Sequence, residues 1–176
     1  MTTVDEYWRA WDGEENTVPL PLEHWRERFS APDSAYPHAD FIPIDLTAVF
    51  TSYLDGEIDL YDPVNLESDD GSHVIATVAI GAAPEDEDLL FLFDTDSGEV
   101  LLLDMANPIP ELVNSSLRDF SRFLYEFALF LDADQGVDGR AARAGELQQR
   151  LQNQDPAAFA ESDSWWSMAF SELVTT

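Results

Sequence analysis

Apolar positions along this chain change from two nearly continuous runs to a helical spacing, and the change predicts its central elements. Leu89 to Phe93 and Val100 to Leu103 are nearly continuous apolar runs, as expected of two strands covered on both faces. Between them, Asp94-Thr95-Asp96-Ser97-Gly98 is a polar turn in which Gly98 can take a positive φ. Further on, Leu117, Phe120, Phe123, Leu124, Phe127, Ala128 and Leu131 recur at spacings of three and four. That spacing places them on one face of a helix. Asn114, Ser115 and Ser116 precede it with side chains able to accept the orphan N–H groups of a helix start, and Asp119 favours the positive end of the dipole. In the connector Met105-Ala106-Asn107-Pro108-Ile109-Pro110 each proline removes a ladder donor. The chain is expected to leave the sheet there.

The flanking segments are shorter. Val4 to Trp11 reads as an amphipathic helix ended by Asp12-Gly13, with Trp8 and Trp11 on one face, and Leu22, Trp25, Arg26 and Phe29 suggest a second short helix. Phe41 to Ile44 reads as an edge strand that tolerates Pro43, whereas Leu46 to Leu54 is compatible with helix or strand. Asp55 to Asp70 is dense in carboxylates and reads as one short strand and a loop. His73 to Ile80 is a β-branched strand closed by Gly81, and Pro84 to Asp88 is an acidic turn. Arg140 to Leu151 is helical by composition. Asp155-Pro156 restarts a helix with Asp155 as cap, and Ser164 to Val174 closes the core with Trp165, Trp166 and Phe170. Helices, a strand meander and more helices argue for an α+β fold with a central antiparallel or mixed sheet flanked by N- and C-terminal helices.

Charge changes this picture from a fold to a surface. The chain has 176 residues and a formal net charge of −28, with no cysteine. All eight cations are Arg, and none lies between Arg28 and Arg118, a stretch holding 19 Asp or Glu. The absence of cysteine excludes a disulfide framework, thiol catalysis and thiolate metal sites built from its own residues. Direct nucleic-acid binding and anionic membrane surfaces are poor fits, because both need cations. A basic protein is the better partner, since a field of one sign steers opposite charge. No apolar run approaches the length of a bilayer span and the N-terminus has no signal core, so a cytoplasmic location is expected.

The block Asp94 to Asp104, followed by Leu112 to Leu124 (LVNSSLRDFSRFL), resembles the most recurrent part of the SUKH superfamily, in particular its fourth subgroup of bacterial immunity proteins. The resemblance is strongest over residues 89–131. Asp155-Pro156-Ala157-Ala158 followed by Trp165 is similar to the end of that family. It implies one SUKH-like α+β domain over residues 1–176 and a protein that binds and neutralises a cognate toxin by stoichiometric occlusion. A nuclease or nucleic-acid-modifying toxin domain is the implied partner.

Motifs for chemistry are missing. Asp94-x-Asp96-x-Gly98-Glu99 imitates the opening of a calcium loop, yet it lacks the fifth-position ligand and carries Met105 at the twelfth, so a polar hairpin turn is expected. His24, His38 and His73 share no metal-ligand spacing. There is no nucleophile elbow and no phosphate-cradling glycine loop. No catalytic residue, metal or cofactor is expected. The remaining candidate is a binding patch made by Asp55, Glu57, Asp59, Asp62, Asp69, Asp70, Glu85, Asp86, Glu87 and Asp88. Clustered beside the sheet, they would match the basic face a toxin uses to hold phosphate. Two other readings compete: a non-enzymatic adaptor or regulatory scaffold of the same superfamily, and acidity that serves only solubility or life at high salt.

Overall fold

The two apolar runs form a hairpin in the middle of an antiparallel sheet. The structure is a computed structural model that describes residues 16–43, 45–46, 49–54, 57–84, 86–134 and 136–175. The N-terminal helix expected over Val4 to Trp11 lies outside the described residues. The strands are β1 (Thr17–Pro19), β2 (Phe41–Pro43), β3 (Asp45–Leu46), β4 (Phe50–Thr51), β5 (Pro63–Glu67), β6 (Val74–Ala83), β7 (Asp86–Asp94), β8 (Val100–Asp104) and β9 (Asn107–Asn114). The helices are α1 (Leu22–Arg28), α2 (Leu117–Asp132), α3 (Arg140–Gln154) and α4 (Trp165–Thr175).

Strands β1 and β2 pair as a separate ribbon, while the main sheet runs in the order β3-β4-β6-β7-β8-β9. Strand β6 organises the rest. One of its sides holds β7, and the other is shared by β5 on its first half, through Glu67 opposite Val74, and by β4 at its end, through Thr51 opposite Ala82. Every described pairing is antiparallel. With helices at both ends, the fold is α+β.

The hairpin is buried on both faces, and the chain itself does the covering. Phe91, Phe93, Val100 and Leu102 join the helices in the main core. Leu90, Leu92, Leu101 and Leu103 point the other way into a second core with Ala79 and Ala82. There the curled sheet brings Val64, Leu66 and Leu112 inward, and Leu54 and Ile58 cross over the face. In the turn, Asp94 Oδ1 accepts from the N–H groups of Asp96 and Ser97 at 2.8 and 3.0 Å. Gly98 takes φ +86°, and its Cα faces Ala35 so closely that a Cβ would overlap the Ala35 methyl.

Helix α2 starts as its spacing predicts. Ser116 is the N-cap, accepting from the Asp119 N–H at 3.0 Å and donating to the Asp119 carboxylate at 2.6 Å. Phe120, Phe123 and Phe127 meet the buried Trp166 ring of α4. Trp25 of α1 packs against Phe93 at 4.9 Å between ring centroids, so the N-terminal segment closes the other end of the same core.

Four local expectations change. The proline connector does not leave the sheet: β9 pairs with β8 through Leu101 opposite Leu112 and Leu102 opposite Glu111. It is the last strand of the sheet, where an absent N–H costs no ladder bond, and an irregular register between Leu102 and Asp104 spares the stretch holding Pro108 and Pro110. Gly81 does not end β6, which continues to Ala83 through an irregular register after Ala79. The acidic turn is shorter than expected, since Asp86 already opposes Ala83 as the start of β7. Finally, Asp155 makes no helix cap with its side chain; a short 3-10 turn over Pro156–Phe159 follows it, and its carboxylate is buried elsewhere. The ambiguous stretch around Val49 resolves into the two-residue strands β3 and β4.

Candidate functional site

Charge is segregated in space as well as in sequence. Arg26 pairs with Asp33, and Arg118 donates to the carbonyls of Tyr36 and Asp33. Glu126 holds Arg122 and Arg150, while Asp134 holds Arg140 and Arg143 at 2.7 and 2.6 Å. The Arg28 guanidinium lies over the rings of Phe29 and Tyr61. Apart from Arg28, which reaches Tyr61 beside Asp62, these cations serve the helices and the N-terminal segment. Residues 57–104 of the sheet carry carboxylates with no Lys or Arg of their own.

Asp55 and Glu85 lie outside the described residues. The other eight candidates are strung along β6 rather than gathered at one point. Asp69 and Asp70 sit in the tight β5–β6 turn beside Val74, exposed. The Asp70 carboxylate accepts from Ser68 Oγ, Ser72 Oγ and the Ser72 N–H, which pulls its pKa down to about 2. Midway, Asp59 and Asp62 form a turn against Ala79: the Asp59 N–H donates to Asp62 Oδ2 at 2.9 Å, and the Tyr61 N–H donates to the Ala79 carbonyl at 2.7 Å. At the far end, Asp86, Glu87 and Asp88 begin β7, with the Asp88 N–H donating to Asp86 Oδ1. Ten residues of β6 separate the first group from the last, roughly 30 Å at the rise of a strand. Asp62, Asp70 and Asp86 therefore hold backbone turns, and Glu57, Asp59, Asp69 and Asp88 present exposed side chains.

Two of the exposed carboxylates share a groove. Glu57 and Asp88 line a depression of about 290 Å³ whose remaining walls are Leu54, Ile58, Ala82, Leu90 and Met105. The backbone builds it from four separate segments. Ala82 and Leu90 oppose each other across β6 and β7, and the Met105 N–H donates to the Asp88 carbonyl at 2.9 Å, which seats the β8–β9 turn beside β7. Leu54 and Ile58 come from the segment that roofs the second core. Met105 is 48% exposed and the neighbouring Tyr53 is 70% exposed, so large apolar surface stands beside the carboxylates. Among the described residues no cation pairs with Glu57 or Asp88. A second depression of about 240 Å³ lies against α2 and α4, lined by Val49, Phe127, Trp165 and Leu173 among others, with Glu172 as its one carboxylate among the described residues.

The apolar half of the groove escapes sequence reading, because Leu90 looks like ordinary core and Met105 like loop. A signal exists only in hindsight of register: Met105 is a large apolar residue between Asp104 and the proline stretch. The calcium-like opening is a turn, with Asp94 committed to backbone N–H groups. Among the described residues no group of three or more His, Asp or Glu converges as metal ligands would. No described helix is long and apolar enough to cross a membrane.

No curated protein and no solved structure matches the chain. A family model described as SUKH-4 immunity protein matches residues 33–172. That span takes in the hairpin, the capped helix α2, α3 and most of α4, and it supports an immunity function that implies a toxin as partner. This match, over most of the chain, places it in the SUKH-4 immunity protein family.

Proposed function

We propose that this protein neutralises its cognate toxin by binding it stoichiometrically through the acidic side of the sheet, and that the toxin is a basic nuclease or nucleic-acid-modifying domain. The observation that supports this reading is the separation of charge. Apart from Arg28, which lies over Tyr61, the described arginines are engaged by the helices and the N-terminal segment, while among the described residues no ion pair reaches the carboxylates of β5 to β8 and their turns. A domain that grips phosphate presents the complementary field, and covering that face removes its access to nucleic acid. The patch meant here is Asp55, Glu57, Asp59, Asp62, Asp69, Asp70 and Glu85 to Asp88, of which all but Asp55 and Glu85 belong to the described residues and follow β6. A specific complex of this kind buries about 1,600 Å² in total. The protein itself binds no nucleic acid and no membrane, does its work in the cytoplasm, and catalyses nothing.

The test is rescue and stoichiometry. A candidate basic toxin domain is expressed alone and together with this protein, and the purified pair is weighed by light scattering. Restored growth, a one-to-one complex and an association rate that falls steeply between low and physiological salt are expected. Growth arrest that persists with both proteins present would remove the reading.

A further inference from the structure

Within that toxin-binding reading, on which this inference rests, the groove at the Ala82 end of β6 has a chemistry of its own. Its floor is apolar, from Leu54, Ile58 and Leu90, and its rim carries Glu57, Asp88 and the half-exposed Met105. Carboxylates above a hydrocarbon floor suit a ligand that is apolar along its length and cationic at its tip. Arginine is that ligand: its methylene stem lies on apolar surface while the guanidinium stays at the rim. The guanidinium is also weakly hydrated and fits carboxylates through paired N–H donors, so it gives up less on entering than an ammonium does. The volume, about 290 Å³, lies at the small end of ligand pockets and suits one side chain. The protein's own described arginines are held elsewhere, by Asp33, Glu126, Asp134, backbone carbonyls or the rings of Phe29 and Tyr61.

We infer that this groove is the anchor pocket for one arginine side chain of the toxin, clasped by Glu57 and Asp88 over Leu54, Ile58 and Leu90. The β5–β6 turn at the other end of the strand steers, and the groove anchors. Interfaces concentrate their binding in a few such seats, with Arg among the residues most often found in them.

The experiment uses the full chain and a short capped peptide, Ala-Arg-Ala, followed by methyl NMR of Ile58, Leu54, Leu90 and Met105. The expected result is saturable shifts at those methyls in the millimolar range. A peptide with citrulline in place of arginine, the same shape without the charge, is expected to bind at least about tenfold more weakly. E57Q/D88N should weaken the arginine peptide by about tenfold as well. E161Q/D163N, which removes the same charge from exposed positions outside the acidic patch, should leave the dissociation constant within about twofold. Equal responses to arginine and citrulline, no saturable shift, or equal weakening in the two double variants would each overturn the pocket. Toxin rescue with an empty groove would overturn the pocket alone. A groove that binds the arginine peptide in a protein that rescues nothing would overturn the immunity reading and leave the arginine chemistry standing.

Discussion

Asn114 and Asp155 stand 41 residues apart in the chain and meet in the core, where the Asn114 amide donates to Asp155 Oδ2 at 3.0 Å. Asp155 also accepts from the Ser115 N–H at 2.8 Å and the Ser115 hydroxyl at 2.7 Å, and Asn114 Oδ1 accepts from the Trp166 indole N–H at 2.9 Å. Asn114 and Asp155 are 0% and 3% exposed. This network locks the start of α2 to the C-terminal layer. Removing Asp155 leaves buried donors without an acceptor, so Asp155→Ala should cost about 3 kcal/mol, and Asn114→Ala a similar amount. The double variant should cost less than the two singles added, because they share one bond. Urea unfolding of the three variants measures this; strict additivity would show that the bond carries nothing.

That same pair shows how far the sequence could be read. The hairpin, its turn and α2 were legible because continuous apolar runs around a glycine turn, a period of 3.6 and the Ser116 cap depend only on residues close by in the chain. Asp155-Pro156 carried an equally local signal for a helix cap, yet the carboxylate turns toward Asn114, a partner no local pattern reveals. Strand β9 was hidden for the opposite reason: Pro108 and Pro110 argue against a strand, and only its place at the sheet edge makes them harmless. The groove lay further out of reach. Its Glu57 and Asp88 were in the candidate patch, but so were Asp69 and Asp70 at the other end of β6, and composition cannot order residues along a strand.

Gly98 is where the hairpin turn touches the N-terminal segment. Its φ of +86° lies in the left-handed region, and an added methyl would overlap the Ala35 methyl. Gly98→Ala therefore combines backbone strain with a clash and should cost about 2 to 4 kcal/mol. Gly71 offers an internal comparison, with φ +64° and open space around it. Gly71→Ala carries the backbone penalty alone, about 1 kcal/mol. Thermal unfolding of both variants tests the contrast, which equal losses would erase.

Two tyrosines set an alkaline limit. Burial pushes the Tyr36 hydroxyl up to about 12, with Asp40 adding to the shift, and that hydroxyl donates to the Leu20 carbonyl at 2.6 Å. Burial also pushes Tyr61 up to about 12, against the opposing pull of Arg28. A phenol held neutral in the fold contributes stability that is full below the unfolded value of about 10 and is lost as pH rises from there through about 12. Absorbance at 295 nm should show at least two of the five tyrosines titrating late while the far-UV signal stays folded. Tyr61→Phe should remove one of the late group, and a single transition near 10 in folded protein would contradict both assignments.

Self-repulsion along β6 makes a last prediction, separate from any partner. The chain carries a net charge of −28, and the carboxylates of residues 57–104 have no cation among themselves. Raising ionic strength from about 0.01 to 0.15 M shortens the screening length from about 30 to 8 Å, shorter than the roughly 30 Å over which Asp69 and Asp88 are spread. Stability should then rise by about 2 kcal/mol, seen as a Tm increase of about 4 to 8 °C. The rise should be the same in NaCl and KCl, because screening depends on ionic strength and not on a bound ion. D59N/D69N, taken from the uncompensated strip, should flatten the salt dependence more than E161Q/D163N, taken from the exposed link before α4. Equal flattening would mean that the charge acts as a uniform cloud, and the acidic sheet would lose its standing as a distinct face for a basic partner.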